Sequence, residues 1–155
     1  MPLTRAQNDQ IYNHILTVTF GLGVGSPLDI ALREHMLDSP NELSTLTDDI
    51  IENLEYDDTS DPDDLRLNMR LTIYYKRTLQ SFTRFLLYRI SAGVNSPVTV
   101  EDWLAISGDD FLEYRRSPVG VLWLSVPLSD PMIRSAVVPS RHIPTSTTAT
   151  TRAVE

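Results

Sequence analysis

Apolar residues recur every three to four positions along most of residues 1–116, and short polar, Gly- or Pro-containing breaks separate the runs. That period predicts a series of amphipathic helices. Thr4 is a cap-type residue, and Ile11, Ile15, Leu16 and Val18 follow at helical spacing, predicting a first helix that ends before Gly21. Ser26-Pro27 and Ser39-Pro40 pair a hydroxyl cap with Pro at the first helical position, so helices are expected over 27–36 and 40–43. Thr47 followed by Asp48 and Asp49 opens another through Leu54, since carboxylates in a first turn face the positive end of the helix dipole.

The longest periodic stretch runs from 63 to 91. Leu67, Leu71, Tyr75, Leu79, Phe82, Phe85 and Leu86 share one broad face at helical spacing. Arg66, Arg70, Arg77 and Arg84 fall within about 40° of one another on the opposite face. The expectation is one long helix carrying a basic stripe. Gly93 and Ser96-Pro97 end it, Thr99 with Asp102 resembles a capping box for a helix carrying Trp103, and Ser107 opens a last helix through Arg116. From 117 onward Pro recurs and Ser/Thr dominate, which predicts a mostly disordered tail over 117–155; within it Val119 to Val126 has strand propensity but no partner strand.

The fold class expected is therefore all-α: a small multi-helix domain over 1–116, built around the 63–91 helix. With 155 residues, 41% of them hydrophobic, the chain is long enough to bury one core. No Cys is present, which removes disulfides and thiolate chemistry. No apolar run approaches the roughly 20 residues that span a bilayer, so an intracellular, cytoplasmic chain with no membrane partner is the expectation.

Charge changes this picture more than composition does. Residues 38–64 contain eleven Asp or Glu and no Lys or Arg, whereas 65–100 contain six Lys or Arg and no acid. The net charge of −8 argues against nucleic-acid binding by the chain as a whole and leaves only a local case. Arg66, Arg70, Arg77 and Arg84 could contact phosphates, with Tyr88 stacking on a base. Equally, the acidic block could fold against the stripe and neutralise it.

No motif specifies a reaction. Gly21-x-Gly23-x-Gly25 lacks the Gly-Lys-Ser/Thr ending of a phosphate loop and reads as a linker. The alternating oxygens of Asp57, Thr59, Asp61 and Asp63 suggest a calcium loop, but Pro62 stands where Gly must turn the chain and Asn68 where Glu must close the site. His14, His35 and His142 are scattered, and the pairs Asp48-Asp49 and Asp109-Asp110 sit at helix starts, where capping explains them. No catalytic residue, cofactor or metal is expected, and the chain reads as non-enzymatic.

Three segments together resemble a known family. Residues 46–54 with Tyr56, the helix containing Phe82, Phe85 and Leu86, and Asp102-Trp103-Leu104-Ala105-Ile106 with Asp110-Phe111 and Glu113-Tyr114-Arg115-Arg116 are similar to the N-terminal helical region of gag-like polyproteins of copia-type retrotransposons, of the algal and protist kind. The resemblance implies a structural module that self-associates around element RNA and has no catalysis of its own. In that family further helices, a zinc knuckle and enzymes follow, so the tail after Arg116 implies truncation or disruption. The alternative reading is a helical adapter that binds another protein and has no nucleic-acid role.

Overall fold

Local hydrogen bonds start almost every helix in the computed structural model, which describes residues 2–133. α1 (Arg5–His14) begins with a reciprocal box: Thr4 Oγ1 accepts from Gln7 N, and Gln7 Oε1 accepts from Thr4 N. It runs on as a π-helical turn (Ile15–Thr19), and Gly21, at φ 70°, then takes the left-handed turn. Ser26, Ser39 and Thr47 cap α2 (Pro27–Glu34), α3 (Pro40–Ser44) and α4 (Asp48–Glu52). Each cap oxygen accepts an amide hydrogen that the first turn leaves unpaired.

The chain then turns from helix to strand. β1 (Glu55–Asp58) pairs antiparallel with β2 (Arg66–Arg70), with a register irregularity between Tyr56 and Asp58. The all-α expectation holds in its coarse form and needs one amendment: the described residues are mostly helical, with a small two-stranded sheet added. The sheet also corrects the 63–91 helix, because α5 starts at Ile73 (Ile73–Ser91). Residues 65–71 alternate strictly between apolar and polar, a period that a strand satisfies better than a helix.

α5 is the central element. Its residues 81–86 are all buried, so no solvent-facing side remains over that span. α6 (Val100–Leu104) and α7 (Gly108–Arg116) follow, and the Thr99/Asp102 capping box is present with both bonds at 3.1 Å. Phe20, Phe82, Phe85 and Phe111 interlock beneath them with ring centroids 5.1–5.8 Å apart. Such pairs add about 0.5–1.5 kcal/mol each beyond the area they bury.

The packed domain does not end at Arg116. Ser117 caps a further helix, α8 (Pro118–Leu124), which buries Gly120 and Trp123, and Ile133 is also fully buried. The stretch with strand propensity is thus helical and part of the fold. Ser-Pro again sets the start, and Gly120 lets α8 approach the Tyr114 carbonyl so closely that a Cβ there would collide with it. Of the tail expected over 117–155, residues 134–155 lie outside the described residues. No described helix is long and apolar enough to cross a membrane.

Candidate functional site

The five residues singled out from the sequence do not share a surface. Arg66 and Arg70 stand on β2, Arg77 and Arg84 on α5, so no single helix aligns them. Arg84 is 2% exposed and spends all five of its N–H donors inside the protein. Nη1 donates to Asp48 Oδ1 (3.0 Å) and the Gln80 carbonyl (3.2 Å), and Nη2 to Asp48 Oδ2 (2.9 Å) and the Val126 carbonyl (2.6 Å). Nε donates to the Trp123 carbonyl at 2.7 Å. Arg84 is therefore an internal clamp that caps the end of α8, and the stripe is corrected accordingly.

Tyr88 packs against other rings rather than standing clear of the surface. It is half-buried between Tyr114 and Trp123, at centroid distances of 5.2 and 6.2 Å. The two charge blocks meet at three ion pairs: Arg84–Asp48, Lys76–Glu52 at 3.1 Å and Arg66–Asp64 at 3.3 Å. Arg70 and Arg77 remain exposed, with no carboxylate within ion-pair distance among the described residues. Self-neutralisation of the blocks is thus partial.

Groups that suggested chemistry have structural partners. Gly25 N, in the glycine run, donates to Asp29 Oδ2 at 2.8 Å, so this amide faces the protein's own carboxylate. Asp29 also accepts from Tyr12 Oη (2.6 Å) and Arg33 Nε (2.8 Å). Burial pushes against ionisation of Asp29, but these donors outweigh it and hold its pKa below the usual carboxylate range; burial first, then the same bond, pushes Tyr12 up. Asp57, Asp58 and Asp61 accept from Asn68 N, Ser60 N and Asp63 N, bonds that shape the hairpin loop. His14 and His35 donate to the Ile106 and Glu55 carbonyls, each at 2.9 Å. No cluster of three or more His, Asp or Glu is placed to hold a metal among the described residues, and His142 lies outside them.

What the fold leaves open is a groove beside the first turns of α5. Ile73, Lys76, Arg77 and Gln80 form one wall, Val121, Leu124 and Ser125 of α8 the other, and Glu52 of α4 one end, around about 450 Å3. Ile73 is 65% and Val121 61% exposed. Round the helix, Tyr74 borders a second depression with Val18, Leu112 and the half-buried Arg115. Arg115 donates to Thr78 Oγ1 at 3.3 Å and lies over the Phe111 ring; burial lowers its pKa from the ordinary arginine value. The first turn of α5 contains no acid, and Thr72 makes no side-chain cap bond.

Comparison of the chain with protein-family models, curated proteins and solved structures finds no match. The groove therefore has to be read from its chemistry. It offers aliphatic contact and one free guanidinium, which suits binding of an apolar, acidic surface. Sequence reasoning placed Arg77 here but missed Ile73 and Val121. For Ile73 a signal was available, since it is an aliphatic directly after the cap residue Thr72 and outside the set that the core-facing period requires.

Proposed function

We propose that the protein is a non-enzymatic assembly module that self-associates, of the gag-like kind its helical segments resemble. The observation that supports this most is the groove: exposed Ile73 and Val121 flank the unpaired Arg77 on a surface built from three helices. Apolar residues clustered on a rigid rim exclude water only when another surface covers them. An RNA contact through four aligned arginines is not part of the proposal, because Arg84 is internal and Arg66 pairs with Asp64.

Light scattering across a concentration series tests the reading, with wild type beside Ile73→Asp and Val121→Asp. Both positions are exposed, so the fold should hold by circular dichroism while association is lost. Single-stranded RNA added at low and high salt separates assembly on RNA from assembly by protein contact. A wild type that stays monomeric throughout would leave the adapter reading, in which the groove receives a different protein.

A further inference from the structure

The acidic hairpin supplies the surface that the groove lacks. The β1–β2 unit and its loop carry Asp57, Asp58, Asp61, Asp63 and Asp64, of which only Asp64 has a cation within ion-pair distance among the described residues. Leu65 and Leu67 project beside them at 57% and 60% exposure. With Glu55 and these five Asp against Arg66 and Arg70, the hairpin is net acidic with aliphatic residues at its loop, and the groove, where Glu52 pairs Lys76 and leaves Arg77, is net basic and aliphatic. Both charge and apolar character are complementary.

The hairpin does not line the groove of its own chain. Asp57 N donates to the Glu34 carboxylate at 3.2 Å, and His35 Nε2 donates to the Glu55 carbonyl, so β1 is tied to α2. Asp57 Oδ1 in turn accepts from Asn68 N across the sheet, fixing the loop to its base. These bonds fix the base of the hairpin in place, and no ion pair joins its loop to Arg77 among the described residues. The hairpin of a second copy carries no such tie to this chain.

We propose that the hairpin of one copy docks into the α5–α8 groove of another, setting Asp63 and Asp64 against Arg77 and Leu65 and Leu67 against Ile73 and Val121. This rests on the assembly reading and names the partner surface for it. β2 ends at Arg70 and α5 begins at Ile73, so the donating and receiving surfaces adjoin in each chain. Two copies can then exchange hairpins about a two-fold axis, the commonest closed arrangement of identical chains.

Charge reversal tests the pairing in the full chain. Asp63→Lys with Asp64→Lys makes the loop between β1 and β2 net basic, and Arg77→Glu with Gln80→Glu makes an acidic groove. Each variant alone should associate at least about tenfold more weakly than wild type, a loss of roughly 1.4 kcal/mol. An equimolar mixture of the two, and a chain carrying all four changes, should recover association; a merely destabilised fold would not recover. Neutral Asn and Gln versions serve as folding controls and should weaken association without rescue on mixing. If the basic-loop variant associates like wild type while Val121→Asp does not, the hairpin is not the partner and the assembly reading stands. A wild type that is monomeric at every concentration overturns both.

Discussion

Arg84 grips Asp48 with both terminal guanidinium nitrogens, at 3.0 and 2.9 Å, across 36 positions of sequence. The same carboxylate accepts from Leu128 N at 3.3 Å, and the remaining Arg84 donors close off the Trp123 and Val126 carbonyls. One side chain thus joins α4, α5 and the end of α8.

Removing that clamp should be the most damaging single change in the protein. Arg84→Leu takes both guanidinium donors from Asp48 and one from each of the Gln80, Trp123 and Val126 carbonyls, and breaking a largely buried pair in this way costs about 3–5 kcal/mol. Arg84→Lys should not rescue, because an ammonium cannot span five acceptors in one plane. Urea denaturation followed by Trp fluorescence checks both, and neutralising Arg66, Arg70 and Arg77 together should leave the midpoint nearly unchanged.

Acid should loosen the same joint. Burial alone would raise the Asp48 pKa, but the hydrogen bonds and charge of Arg84 prevail and lower it, as the donors around Asp29 lower that one. A depressed folded-state pKa contributes stability that is present above the unfolded carboxylate value of about 3.9 and is lost as pH falls through the folded value. Urea midpoints should therefore fall steeply below about pH 4, and Asp48→Asn should flatten that slope while lowering stability at pH 7.

Tyr12→Phe tests the second internal knot. Asp29 loses its 2.6 Å donor but keeps Gly25 N and Arg33, so a loss of about 1.5–3 kcal/mol is expected with helix content retained. An unchanged thermal midpoint would mean that the hydroxyl contributes nothing to Asp29.

Two glycines should respond oppositely. Gly120→Ala places a methyl group against the Tyr114 carbonyl and forces α8 outward, a cost of about 1–3 kcal/mol. Gly23 has open space around its Cβ position and an ordinary φ, so Gly23→Ala should be neutral or stabilise by about 0.4–1 kcal/mol through a less flexible unfolded chain. Thermal midpoints of the two variants decide the matter.

Much of the architecture was legible where the signal is local. Thr4, Ser26, Ser39, Thr47, Thr99 and Ser107 each start the helix expected from them. Phe82 and Phe85 reach the core as their spacing required. The strand at 66–70 was misread because Leu67 and Leu71 also satisfy a helical spacing, although Leu65, Leu67, Met69 and Leu71 alternate throughout. Asn68 at φ 55° marks where the backbone leaves any helix. The candidate groove was barely legible, since only Arg77 among its walls had been singled out.

The sequence by itself determined where most helices begin, because a Ser or Thr oxygen reaches an amide only three residues away and needs no other part of the chain. It also determined that opposite charges would confront each other across Asp64. Only the tertiary structure decided which of them meet. Arg84 lies on the polar side of an amphipathic pattern, and it is internal because α8, anchored by Trp123, covers that side and Asp48 arrives from α4. Arg77, about two turns earlier on the same helix, stays unpaired because no carboxylate among the described residues is brought to it. That difference depends on partners tens of residues away, which no local period encodes.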